Sequence, residues 1–496
     1  MNHPWAHPVL SGAETKALEQ RLFGGDESLE WQAMQRAGQA VAESILRDFR
    51  EIGGFPPTGR VLVLVGKGHN GGDALIAADA ILSRYPAAAA DVLLVYVSSS
   101  LRPLAQRAWR DLMQRHAGRV QPRPVNALDR SYELSLDGVF GFQFRPPLDA
   151  TATKALAAAN ALSVRMRVAV DLPSGLDSPG AFRADFTYGT GVLKREALEC
   201  ANAGRLRYLD LGFFQAGVPD ADDFVITAAA LASRQAWRDP RTEKRKQGHL
   251  FVLAGSRRYP GAALMAVTAA LRSGAGLVSA FVPESLVPAF AAQVPEAIWV
   301  GWPETPDGGL ALEGIHLWRE RLNQAAALVV GPGIGREPET LALVSEILKA
   351  AAVPVVVDAD ALQPEVLASA QSQLVLSPHA GEFKRIAGEK SLSDYVSETG
   401  AVVALKGPVT RVCAGGPVYH SLFGGPVLAR GGSGDLLAGI VGAQIAHRPT
   451  ELLAAVCCGV AWHGRAADEL ARTRGAEAVH TTQLLDFLPA ALKLEP

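Results

Sequence analysis

The chain has 496 residues, 48% hydrophobic and 20% charged, the make-up of a soluble globular protein with roughly two to four domains. Its 48 basic and 50 acidic side chains leave a formal charge of -2, which gives no electrostatic case for nucleic acid or an anionic membrane as partner. Four cysteines (Cys200, Cys413, Cys457, Cys458) make no disulfide framework, no C-x-x-C pair suggests a zinc ribbon, and no apolar run reaches the ~18 residues that span a bilayer.

The start, MNHPWAHPVLSGAETK, lacks the basic and apolar segments of a secretory signal, so a cytoplasmic protein is expected. Residues 11–50 carry helical spacing through Leu18, Leu22, Met34, Ala37, Val41 and Ile45, with Thr15 or Ser28 as caps. From Val61, VLVLVGKGHNGGDALIAADAI predicts a buried strand, a glycine-rich turn and a helix. Further strands are predicted at DVLLVYV (from Asp91), LDGVFGF (from Leu136) and RVAVDLPSG (from Arg167). Strands alternating with helices predict a parallel sheet covered on both faces. Residues 234–248, RQAWRDPRTEKRKQG, lose all apolar periodicity and hold five basic residues from Arg238 to Lys246, the signature of a solvated linker. A second α/β unit then begins with HLFVLAGSRRYPGAALMAVTAAL, whose strand is predicted over residues 250–254. Four more follow at 327–330, 353–358, 374–376 and 402–405. Each ends in a Gly, Asp or His cluster, at the sheet edge where open α/β folds place ligands.

In the first half, GKGHNGGDA (66–74) lets backbone approach a ligand and opens a helix whose free amides favour an anion. It is neither a Walker A loop nor G-x-G-x-x-G. Asn70, Asp137 and Ser174 can converge as hard oxygen ligands, a set suited to a monovalent or weakly held cation rather than zinc. Asp171, before a Pro-Ser-Gly turn, is the candidate for acid/base work. Taken singly, a strand-end Asp is more often a cap or turn former.

The second half offers GPGIG (331–335), Asp358 and Asp360 in VVVDADAL, His379 and Glu382 in LSPHAGEF, and Lys406 in ALKG. The strongest cluster is LARGGSGDLLAGIVGAQIA. There the bare amides after the 431–434 turn would form an anion hole, and Asp435 would accept a proton from an attacking hydroxyl. A plain N-cap is the competing role for Asp435.

GKGHNGGDA, DGVFGF, AVDLPSGLDSPG and DFTYGTGVLK resemble the NAD(P)H-hydrate epimerase domain over roughly residues 10 to 225. AGSRRYPGAALMAVTAALRSGAGLV, VVGPGIG, VVDADAL, LSPHAGEF, LKGPVT and GGSGDLLAGI resemble the ADP- or ATP-dependent NAD(P)H-hydrate dehydratase from about Lys246 to Leu488. The resemblance implies a Rossmann-like three-layer αβα domain (10–225) followed by a ribokinase-like three-layer αβα domain (235–490). It implies that Asn70, Asp137 and Ser174 hold potassium, and that magnesium accompanies ADP or ATP as co-substrate. Asp171 and Asp435 are implied as the catalytic residues. Contacts to the hydrated nucleotide are implied for His69, Asn70, Gly71, Gly72, Asp73, Gly141, Phe142, Gln143, Phe144, Arg145, Pro146, Pro147 and Asp171 in the first domain. In the second they are implied for Ala262, Gly333, His379 and Asp435. Lys406, Gly407, Pro408, Val409, Thr410 and Gly434 are implied to bind the adenine nucleotide. The family's last epimerase motif holds Thr187 and Lys194. The implied activity equilibrates R and S hydrates of NADH and NADPH (NADHX and NADPHX) and dehydrates the S form at the expense of ADP, giving AMP and phosphate. A homo-oligomer is implied by the same analogy. The sequence departs from the family pattern at His69, where an Asn is usual, and at Gln143, where a small residue is usual. The alternative is a small-molecule kinase of the ribokinase-like fold joined to a non-catalytic Rossmann-like binding module.

Overall fold

The computed structural model describes residues 3–215 and 217–493. Two sheets organise it. The first has seven strands in the order Val120–Pro122, Ala89–Leu94, Arg60–Val65, Tyr132–Gly138, Val164–Val170, Phe186–Thr190 and Arg205–Leu209, every neighbouring pair parallel. Alternation along Arg60–Val65 explains the layers: Val61, Val63 and Val65 pack with Val41 and Ile45, while Leu62 and Leu64 pack with Leu156 on the opposite face.

The second sheet has twelve strands. Seven parallel ones run Ile298–Trp302, Leu277–Pro283, His249–Leu253, Ala327–Val330, Val355–Val357, Leu374–Leu376 and Val402–Leu405. Here too the faces alternate. Leu250 and Val252 meet the helices Pro260–Arg272 and Ser433–His447, while Phe251 and Leu253 meet Trp302 and Trp318. Both halves are thus three-layer αβα units, as expected.

The predicted strands all exist, with ends moved by a few residues, as boundary signals are weak. The caps differ from expectation. Thr15 and Ser28 lie inside helices Gly12–Phe23 and Glu27–Asp48, whose N-caps are Ser11 and Asp26. Ser11 forms a capping box with Glu14, and Asp26 accepts from the amides of Ser28 and Leu29, so an earlier oxygen takes each orphan donor first.

The second sheet continues past Val402–Leu405 through the antiparallel strands Thr410–Cys413 and Val418–Ser421, then into strands from early in the chain: Asp223–Ile226, Ala6–Leu10 and Leu193–Lys194. The halves are therefore hydrogen-bonded into one framework.

Candidate active sites

The first cavity, about 470 Å³, opens at the C-terminal ends of the seven-stranded sheet. Residues 69–73 are not a loop but the first turn of helix His69–Arg84, whose N-cap is Gly68. His69, Asn70 and Asp73 line the cavity; Gly71 and Gly72 are buried behind it, against Gly66 and Met34. Gly141, Phe142, Gln143, Phe144, Arg145 and Pro147 line it too, but Pro146 does not.

Asp171 follows strand Val164–Val170 with φ of 69°, a left-handed conformation that Asp tolerates better than most residues but still at a cost. The turn aims its carboxylate back at the cavity. Oδ1 is ion-paired with Lys194, and Oδ2 accepts from the Phe142 amide (3.2 Å). Two further carboxyls crowd the pair. Burial, and then the Asp171 charge, push Asp73 well above the usual carboxylate range. Burial raises Glu19 to about 7. Both therefore hold protons more readily than free carboxyls. Lys67, Arg102 and Arg145 supply positive charge elsewhere in the lining.

Asn70, Asp137 and Ser174 do converge, around the turn after strand Tyr132–Gly138. Ser174 donates its hydroxyl to Asp137 Oδ1 (2.7 Å) and its amide to Oδ2 (2.7 Å), and the Val139 amide donates to Oδ1 (3.1 Å). The Asn70 amide nitrogen donates to the Phe140 carbonyl (2.9 Å), and the Phe140 amide donates to Ser174 Oγ (2.8 Å). Asp137 is fully buried, and burial raises it to about 6.

The second cavity, about 970 Å³, is lined by Asp435, Gly434, His379 and all of residues 406–410. Helix Ser433–His447 has Gly432 as its N-cap, so Asp435 is the third residue of the first turn and not the cap. Burial, and then the neighbouring Asp358, raise Asp435 to about 6. Lys406 bonds Asp358 (2.8 Å), lies 3.8 Å from Glu382, and sits 3.2 Å from where a Cβ on Gly434 would stand. Burial works against the Lys406 ammonium, but Asp358, Glu382 and Asp435 more than offset it, and its pKa is raised. His379 caps helix Ala380–Ala387: Nδ1 accepts from the amides of Gly381 and Glu382, and Glu382 answers the His379 amide. Ala262 and Gly333 do not line this cavity but touch each other. Gly333 has φ of 65°, and a Cβ there would stand 2.7 Å from the Ala262 Cβ.

Sequence reasoning did not single out Glu19, Tyr96, Arg102 or Thr190 in the first cavity, nor Met265 beside Gly432, nor His463 in the second. Helical spacing signalled a buried face around Glu19, but no local motif marked the residue itself.

Comparison with known proteins bears on both cavities. The family model described as NAD(P)H-hydrate dehydratase matches residues 250–490, and the one described as YjeF-related protein N-terminus matches residues 30–195. The bifunctional NAD(P)H-hydrate repair enzyme of Gloeobacter violaceus is 36% identical, over 98% of this chain and 97% of its own. That of Moorella thermoacetica is 34% identical, over 93% and 92%. A solved structure, ADP/ATP-dependent NAD(P)H-hydrate dehydratase from Bacillus subtilis co-crystallized with ATP/Mg2+, is 28% identical with a TM-score of 0.45, covering 51% of this chain and 92% of that one.

Proposed function

The chain belongs to the bifunctional NAD(P)H-hydrate repair enzymes, and from that membership we propose how its two cavities divide the work. The first cavity epimerises the R and S hydrates; the second dehydrates the S form with an adenine nucleotide, ADP in the first instance. Residues 10–225 and 235–490 carry the two activities, although strands from the first complete the sheet of the second.

The observation that carries the dehydratase reading is the place of Asp435: it caps nothing, lines the cavity, and stands beside Lys406 in the first turn of a glycine-started helix. Its carboxylate takes the proton of the hydrate's C6 hydroxyl as that oxygen attacks the terminal phosphorus of the nucleotide. The P–O bond to AMP breaks as the new one forms. The ring nitrogen's electron pair then expels phosphate from C6, and loss of the neighbouring ring proton restores the reduced nicotinamide. Free amides of the helix and the Lys406 ammonium stabilise charge gathering on the transferred group. Residues 406–410 and Gly434 hold the nucleotide, His379 contacts the hydrate within the cavity, and Ala262 and Gly333 contact it beyond the cavity lining. Magnesium comes with the nucleotide, held largely by phosphate oxygens.

In the first cavity Asp171 takes the proton of the C6 hydroxyl as the C6–N bond opens to an aldehyde and the ring nitrogen takes up a proton; the reverse steps close the ring on either face of the carbonyl. Glu19, raised to about 7, and Asp73, pushed well above the usual carboxylate range, are the adjoining groups able to supply one. His69, Asn70, residues 141–144 and Pro147 hold the ring and ribose, while Lys67, Arg102 and Arg145 face the phosphates.

Potassium suits the donor set of Asn70, Asp137 and Ser174. Asp137 is a buried carboxylate that accepts from two backbone amides and the Ser174 hydroxyl, with no cationic side chain in ion-pair contact among the described residues. A bound potassium ion would supply fixed positive charge beneath the 139–141 turn. A homo-oligomer and a cytoplasmic location complete the reading; no helix among the described residues is long and apolar enough to cross a membrane.

The test follows recovery of reduced-nicotinamide absorbance from mixed R and S hydrates with ADP or ATP, with and without potassium. Full recovery is expected. Recovery that stops at the S fraction would remove the epimerase assignment, and nucleotide consumption that yields a stable phosphorylated product would favour a plain kinase.

A further inference from the structure

The cavity around Asp435 is not built by the C-terminal half alone. Gly204, Arg205 and Leu206, at the start of the last strand of the seven-stranded sheet, line it together with residues 406–410. Leu206 and Val409 share one apolar cluster with Leu422. Phe423, Pro426 and Leu428 extend the same wall. The cavity therefore carries charge at Asp435 and Lys406 and also an apolar wall of Leu206, Val409, Leu422 and Phe423, where a purine base would meet carbon surface.

Arg205 ties this wall together. Its Nε donates to the Gly424 carbonyl (2.8 Å), its Nη1 donates to both carboxylate oxygens of Glu51 (2.9 and 2.8 Å), and its Nη2 donates to Asp468. Asp468 in turn accepts from the Gly424 amide (3.0 Å). Gly425 lies against the guanidinium, where a Cβ would stand 2.4 Å from Cζ. Glu51 and Asp468 neutralise the Arg205 charge, so this side chain is not a free cation awaiting a phosphate. Its directed N–H groups instead fix the carbonyl and, through Asp468, the amide of Gly424. The segment 422–430 has only the short 3-10 turn Pro426–Leu428 of its own; Arg207 holds its start at the Leu422 carbonyl (3.1 Å), Arg430 ties its end to the Ala476 carbonyl (2.8 Å), and the Arg205 bonds fix Gly424 between them.

We propose that the dehydratase centre is composite: residues 204–206 of the N-terminal half complete its adenine-nucleotide pocket, and Arg205 is the positioning residue that sets the 422–430 segment against the nucleotide base. This inference rests on the reading of residues 406–410 as the nucleotide-binding segment.

The test uses the full chain with the S hydrate as substrate, so that epimerisation is not needed, and titrates ADP or ATP at saturating hydrate. Arg205→Met and Gly425→Ala are each expected to raise the nucleotide KM about tenfold while kcat stays within about twofold, with Arg205→Lys in between. A nucleotide KM unchanged in both Arg205→Met and Gly425→Ala would overturn the proposal. So would a fall in kcat alone that tracks a lowered Tm, the mark of a merely structural ion pair. Lys406→Met supplies the separate control. If it leaves the nucleotide KM untouched, the assignment of residues 406–410 fails and this proposal fails with it.

Discussion

Asp171 and Asp435 are the same side chain in different surroundings, and the tasks proposed for them differ accordingly. Asp435 has been raised to about 6 by burial, and a base must be ionised to act, so protonation below that value removes it. The dehydration kcat/KM is expected to fall about tenfold per unit as pH drops below about 6. A pH profile on the S hydrate reads this; a flat profile across that range would remove Asp435 as the base. Asp435→Asn is expected to lower kcat roughly 10²–10⁴-fold with nucleotide binding retained, checked by turnover and calorimetric titration. Asp137 poses a similar question about a cation. Burial raises it to about 6, so a proton would compete with the proposed potassium ion as pH falls through that value. The potassium concentration for half-maximal epimerisation is expected to rise on acidification below about 6, and Asp137→Asn to abolish potassium dependence. At this scale the sequence was most readable where glycine or proline made a turn beside the acid, as at Asp171 and Asp435. Glu19 was not readable, because nothing near it in the chain announces that it will face Asp171.

The elements that hold these residues divide by how local their causes are. The helices at His69 and Ser433 follow glycine-rich turns after buried apolar strands, so their starts are written in adjacent residues. His379 seemed a ligand candidate only, yet it also forms the cap of Ala380–Ala387. His379→Ala removes the acceptor of two amides and is expected to cost about 1 kcal/mol in denaturant unfolding. Gly333 illustrates close approach between elements. Its left-handed φ and its 2.7 Å clearances to Ala262 and the Tyr259 carbonyl leave no room for a side chain. Gly333→Ala is expected to destabilise by about 1–3 kcal/mol, measured in the same way. The two-residue strand Leu193–Lys194 shows the opposite case: it has no period to detect, and its pairing with Val9 and Leu10 defines it.

At the scale of the whole molecule, the halves are joined by a buried charge network as well as by the shared sheet. Asp48 accepts from Arg207 (3.1 and 3.2 Å), Arg472 (2.7 and 3.1 Å) and the Tyr188 hydroxyl (2.8 Å), and Arg207 also reaches Asp468 (2.9 Å). Burial opposes the Asp48 charge, but Arg207 and Arg472 outweigh it and hold the carboxyl below its ordinary range. Asp48→Ala would take the shared carboxylate from two buried guanidiniums, leaving Arg207 with Asp468 and Arg472 with Glu469, and is expected to cost about 3–5 kcal/mol. Calorimetry should also show the halves of the unsubstituted chain unfolding together; two well-separated transitions would mean that the network and shared strands do not couple them.

Two αβα units, a basic stretch between them, the glycine turns, and the places of Asp171 at a strand end and Asp435 at a helix start were all determined by the sequence itself. Those features arise from periodicity and turn chemistry among residues close in the chain. Only the tertiary structure decided that Ala6–Leu10 and Asp223–Ile226 extend the second sheet, that Lys194 pairs with Asp171, and that Arg205 faces the cavity of Asp435. Each of these joins residues far apart in the chain. Their pairing depends on how the sheets stack and which charges are buried together, which no local spacing records.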